Sequence, residues 1–253
     1  MPFISSPTLA TDARVWRYME FAQLVSIIAD GQLFCPTIKT MRADDPWEGM
    51  WSQAFLDRQY QICLGIEDVP KTPEQKARAN AEVTALIQNQ TQAWPRFAVS
   101  CWRQHDHESD AMWKAYIEGD FGIAIETTFG LLEEAFRPCG QGEDRLVFLR
   151  PVSYGGRESN DVYAPFFQKR LDFDTDAEIR VVIDERHDIC GPGIYVDVDL
   201  ARFVRRVWIS PKGSKQAWFI KAVQKVLCKY GLEHIEVKAS ELMSEPRVGP
   251  STT

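Results

Sequence analysis

The sequence predicts an α+β fold, one domain in which helices flank a mostly antiparallel sheet. Three observations carry this. From Phe97 onward short β-like runs recur between turn residues, capped amphipathic helices lie among them, and no repeat, low-complexity tract or linker divides the chain. The 253 residues, 45% of them hydrophobic, suffice for one sizeable core.

Residues 1–15 read as a polar lead-in, 16–243 as the domain and 244–253 as a frayed tail. Phe21, Leu24, Val25 and Ile28 share a helical face that Gly31 closes. Residues 32–35 read as a brief strand, and 42–49 (RADDPWEG) as a loop, because Pro46 biases its predecessor away from helix. The span 71–93 opens with Thr72 as N-cap, Pro73 at the first position and Gln75 as capping-box partner, then runs Ala-rich with few large apolar groups. It reads as an exposed helical insertion. Strands are expected at 97–102, 121–126, 146–149, 178–183, 194–198, 204–209 and 233–237, and helices at 111–118, 131–136, 162–171 and 215–230. The last has Ser214 as N-cap and Gly231 as terminator.

Charge narrows the function classes. Twenty-nine Lys and Arg against 36 Asp and Glu give a formal net charge of −7, which opposes long-range attraction to nucleic acid or an anionic membrane. The only basic cluster is ARFVRR, residues 201–206. The start has no basic residue followed by an apolar run, and no stretch approaches the ~18 apolar residues of a spanning helix, so a cytoplasmic protein is expected. Six scattered Cys without a CxxC pair read as reduced thiols, and no metal site is expected. His105 and His107 form an HxH in a polar, loop-like segment without a third ligand at a telling position.

Eight Trp are the compositional excess. Six lie in the first half, several beside ionisable groups in WRY (16–18), DPWEG (45–49), SCW (100–102) and MWKAY (112–116). Such mixtures suit a pocket that stacks a ring and hydrogen-bonds its rim, and they equally suit core rings with a satisfied polar tip. Asp45 and Glu48 flank Trp47, where they can cap, pair with an arginine or hold a cation. Asp176 precedes the strand EIRVVI that Glu178 opens. Strand alternation then sets Asp176, Glu178 and Arg180 on one face, where three ionisable groups need partners if buried. Cys101, between Ser100 and Trp102 in an apolar strand, reads as inert packing.

In order, these pieces resemble a bacterial family, domain of unknown function 2971. The resemblance runs from about Trp16 to Pro211. It rests on Trp16, Arg17 and Tyr18, on GQLF at 31–34, DPWE at 45–48, Ser100 to Trp102, MWKAY, GIAI at 122–125, Lys169, and Glu178 with Arg180. A more distant similarity is to ADP-ribosyltransferase-fold enzymes, whose triad order is met by Arg17, Ser100 and Glu178, with Asp176 two residues before the glutamate. That similarity implies NAD as a substrate. Glu178 would stabilise an oxocarbenium-like transition state, Arg17 would hold phosphate or ribose, and Ser100 would orient the ribose. Tyr18, Trp102 or Trp113 would stack the ring.

The leading expectation is therefore a cleft for a small molecule or nucleotide, lined by Arg17, Tyr18, Asp45, Glu48, Ser100, Trp113, Tyr116, Glu178 and Arg180, with Trp102, Lys169 and Asp176 as further ligand-binding residues. In it the chemistry would be NAD-dependent ADP-ribosyl transfer or NAD glycohydrolysis, in the stress or phage-defence setting that such bacterial families suggest. Two other readings stand beside it. One is metal-dependent phosphodiester hydrolysis by Asp45, Glu48, Asp176 and Glu178. The other is a non-catalytic binding or interaction module in which DPWEG, MWKAY, Glu178 and Arg180 form a buried polar network.

Overall fold

The computed structural model describes residues 3–5, 9–65, 70–141, 145–155, 161–211 and 216–243. In chain order the elements are β1 (Phe3–Ser5), β2 (Arg14–Glu20), α1 (Phe21–Asp30), β3 (Gln32–Pro36), α2 (Ile38–Met41), α3 (Gln53–Leu64), α4 (Pro73–Ala93) and β4 (Phe97–Gln104). Then follow α5 (Asp110–Tyr116), β5 (Gly122–Thr128), α6 (Phe129–Phe136), β6 (Leu146–Pro151), β7 (Ser153–Tyr154), β8 (Gln168–Lys169) and β9 (Glu178–Asp184). The chain ends with β10 (Gly193–Asp197), α7 (Leu200–Phe203), β11 (Arg206–Ile209), α8 (Gln216–Lys229) and β12 (Glu236–Ala239). Eight strands hydrogen-bond in the order β1-β6-β9-β4-β2-β5-β11-β12, and β3 with β10 and β7 with β8 form two small pairs. The mixed α+β class is as the sequence predicts. Pairings of β2 with β4, β2 with β5, β5 with β11 and β6 with β9 are antiparallel, while β1 with β6 and β11 with β12 are parallel.

The chain divides into two compact units. The first comprises Met1–Thr8, Phe34–Trp102 and Phe136–Val196, the second Leu9–Leu33, Arg103–Ala135 and Asp197–Thr253. In the first unit, β6 and β9 pair from Leu146 opposite Asp184 to Pro151 opposite Ile179. All seven residues of β9 are buried, so both its faces are covered. Ile38, Phe97, Val99, Phe148, Phe166, Phe167 and Val182 pack on one of them, with Cys101 at the margin. A second cluster joins Trp51, Phe55 and Leu56 to Val83, Leu86 and Ile87 of α4. That helix starts with the capping box of Thr72 and Gln75 that the sequence signals, and of its 21 residues only Ala79 is fully buried.

In the second unit, β2 lies between β5 and the Arg103 to Gln104 end of β4. Trp16, Tyr18, Met112, Trp113, Ile117, Ala124 and Trp208 form its aromatic core. The Glu20 and Gln23 side chains box the N-terminus of α1, and Gly31 ends that helix at φ 67°, a left-handed geometry that favours glycine. Phe219, Val223 and Leu227 are the buried face of α8. No described helix is long and apolar enough to cross a membrane.

Three departures from expectation stand out. Helix α3 forms where the sequence reading placed no element, with Ser52 capping it through the Phe55 N–H. The helix expected at 162–171 is instead a 3₁₀ turn, Ala164–Phe167, followed by β8. The Phe166 carbonyl, which an α-helix would give to a backbone N–H, accepts from Arg180 Nη1 at 2.8 Å. Within the polar lead-in, β1 pairs with β6. The expected N-cap Ser214 and the tail from residue 244 lie outside the described residues.

Candidate functional site

The DPWEG loop folds around its own groups before it meets the rest of the first unit. Asp45 Oδ1 accepts the Trp47 N–H at 3.0 Å, an Asx turn. Gly49 sits at φ 68°, where a Cβ would stand 2.6 Å from the Ile38 side chain, so this position requires glycine. Its carbonyl accepts from Gln90 Nε2 and Trp94 Nε1, both at 3.2 Å. Arg42 donates to the Glu48 carbonyl at 2.9 Å while its guanidinium lies 3.9 Å from the Trp94 ring centroid. These clamps turn the Glu48 side chain inward, where it is 3% exposed.

There Glu48 meets Arg180, which is 0% exposed. Arg180 Nη1 donates to Glu48 Oε1 and Nη2 to Oε2, the latter at 2.9 Å. Its Nε donates to Glu178 Oε1 at 2.6 Å, and this two-sided fork engages every guanidinium nitrogen. Glu178 also pairs with Lys169 Nζ at 2.7 Å, and Lys169 reaches Asp176 at 3.3 Å. The Cys101 thiol lies beside the Glu178 carboxylate, and the Glu178 N–H donates to the Tyr154 hydroxyl at 2.8 Å. Lys169 and Asp176, 15% and 23% exposed, are the end nearer solvent. Arg170 links Asp45 to this end at 3.7 Å, and Lys169 and Arg170 both lie over the Phe173 ring.

Burial pushes the Glu178 carboxyl upward in pKa, but Arg180 and Lys169 outweigh it and hold the group at about 2. Burial pushes the Cys101 thiol well up, and Glu178 adds to the rise. The thiol therefore stays protonated. Burial also raises the Tyr154 phenol to about 12. Three carboxylates, Glu48, Glu178 and Asp176, face two cations, Arg180 and Lys169, so the cluster carries one excess negative charge.

The structure thus gathers Glu48, Lys169, Asp176, Glu178 and Arg180, with Asp45 joined through Arg170. Contrary to expectation, strand alternation does not place Asp176, because it ends a 3₁₀ turn and Ala177 follows in the left-handed region at φ 44°. Lys169 brings its carboxylate back. Ser100 and Cys101 project to opposite faces of β4, since neighbours on a strand alternate, and it is Cys101 that meets Glu178. Ser100 instead accepts from Trp102 Nε1 at 2.9 Å.

Arg17, Tyr18, Trp113 and Tyr116 belong to the second unit. Arg17 and Tyr18 lie on opposite faces of β2. Tyr18 meets Trp113 edge to face at 4.8 Å and accepts the Ser109 N–H at 2.9 Å. Trp113 donates to the buried Glu108 at 2.8 Å. Tyr116 is 54% exposed. The two Trp rings expected to stack a ligand, Trp102 and Trp113, are at most 2% exposed and fill the core, whereas Trp47, for which no such role was expected, is 45% exposed. A cavity of about 530 Å³ in the first unit, lined by Thr37, Lys39, Thr40, Ala43, Pro95, Ile189 and Gly191, includes none of the residues singled out from sequence.

No protein-family model matches this sequence, and no curated protein matches it. Sequence reasoning missed Cys101 and Tyr154 as members of the cluster. The signal for Cys101 was its place two residues beyond Val99, on the same strand face.

Proposed function

We propose that this chain is a non-catalytic binding module, in which the network of Glu48, Arg180, Glu178 and Lys169 fixes the 45–49 loop. The loop and the nearer-solvent end of the network then offer a small polar ligand the exposed Trp47 ring, the pairs of Asp45 with Arg170 and Asp176 with Lys169, and Phe173. The observation that carries the reading is the state of Glu178. Both its oxygens are engaged by cations, and with a pKa of about 2 it has no proton to give at neutral pH.

That state counts against the NAD reading, because a carboxylate already neutralised by Arg180 and Lys169 has little charge left to stabilise an oxocarbenium ion. It counts equally against a metal-dependent hydrolase, since Glu48 and Glu178 would have to exchange bound cations for the metal. None of the six cysteines, all among the described residues, is in a disulfide, which fits the reducing, cytoplasmic setting proposed from sequence.

Mass spectrometry of the full chain after incubation with NAD tests the reading. Neither free nicotinamide nor a mass increase on the protein is expected. Nicotinamide release that disappears in Glu178→Gln would overturn the module and restore ribosyl chemistry.

A further inference from the structure

In the second unit, Arg103 stands directly opposite Trp16 on the neighbouring strand, which makes Tyr18, two residues on, its diagonal neighbour on the same face. Two of the Arg103 guanidinium nitrogens, Nε and Nη1, are hidden from solvent and have no hydrogen-bond partner among the described residues. Such a charge is costly unless an acceptor completes it. The residue as a whole keeps partial contact with solvent.

No described residue accepts from either nitrogen. Glu108, whose charge acts on Tyr18, accepts instead from Trp113 Nε1 and from the Glu241 N–H. The Tyr18 hydroxyl accepts from Ser109, and no described residue accepts its own proton. Burial raises that phenol to about 12, so the proton stays available. Burial, then Arg103 and His107, lower the pKa of His105, which leaves that imidazole neutral at pH 7.

We propose that Arg103 and Tyr18 form a binding site for a small oxyanion, a carboxylate or a phosphate group, with the guanidinium supplying charge and the phenol a neutral donor. The site lies wholly within the second unit and stands independently of the network around Glu178.

Calorimetric titration of the full chain with inorganic phosphate and, separately, with acetate, at constant ionic strength, tests it. One saturable site is expected for at least one anion, and the tighter of the two identifies the ligand chemistry. Arg103→Gln should weaken binding at least about tenfold, and Tyr18→Phe about two- to tenfold, as expected for losing a charged and a neutral hydrogen bond. Absence of saturation by either anion at roughly ten millimolar overturns the proposal. So does equal affinity of wild type and Arg103→Gln. Should Arg103→Gln fail to fold, Arg103→Lys, which keeps the charge but loses the fork, and Tyr18→Phe decide: weakened binding in both supports the site, and unchanged binding in both removes it.

Discussion

Replacing Glu178 by Gln keeps the shape of the side chain and deletes its charge, leaving Arg180 with Glu48 alone and Lys169 with Asp176 alone. The lowering of the Glu178 pKa from 4.5 to about 2 corresponds to about 3 kcal/mol of favourable interaction in the folded state. The amide would also turn a donor toward groups that are themselves donors, so a loss of about 3–5 kcal/mol at pH 7 is expected. The pH dependence separates charge from packing. A carboxylate with a depressed folded pKa contributes stability above its unfolded pKa near 4.5 and loses it as the pH falls toward 2. The gap between wild type and Glu178→Gln should therefore be complete at pH 7, narrow by about 2 kcal/mol at pH 3, and narrow further below that. Paired urea unfolding curves at pH 7, 4.5 and 3 measure it. A loss below about 1 kcal/mol at pH 7, or a loss that does not change with pH, would refute the assignment of Glu178 to an ionic network.

Three further outcomes follow from the same geometry. In native protein, iodoacetamide at pH 8 should modify the exposed Cys190 and spare Cys101, whose thiol is held protonated against Glu178; peptide mass spectrometry reads both. Gly193→Ala should cost about 2–3 kcal/mol in urea unfolding, because the new Cβ would strike the Cys35 backbone carbonyl, which cannot swing aside. Ala177→Gly should leave stability unchanged or raise it by up to about 1 kcal/mol, the reverse of the usual effect, since φ is 44° there; a clear loss would argue against that backbone geometry.

How much was legible depended on whether the signal was local. Thr72, Pro73 and Gln75 announce α4 within four residues, and hydrophobic runs announce β4, β5, β6 and β9. The interior of the candidate site was partly legible because buried charge demands company, so Glu178 and Arg180 called for partners. What could not be read was which partners came. Glu48 is delivered by a turn whose shape depends on Gly49 packing under Ile38, a contact set by the tertiary fold. The 162–171 span has helical composition, yet Arg180 takes the Phe166 carbonyl, and that competitor lies 14 residues downstream. The Trp excess could not tell a ligand pocket from a core, and rings such as Trp16 and Trp113 are core, with only their N–H groups polar.

Glu48 precedes Arg180 by 132 residues. At ribosomal rates of about 5–20 residues per second, the acid leaves the tunnel roughly 7 to 26 s before its counter-ion. Through that interval Glu48 has to remain hydrated, so the 45–49 loop cannot settle into its final burial. Because β9 carries Glu178 and Arg180 together, one late strand brings both to the waiting carboxylate, and a nascent chain stopped before it lacks the counter-ion that lets Glu48 be buried.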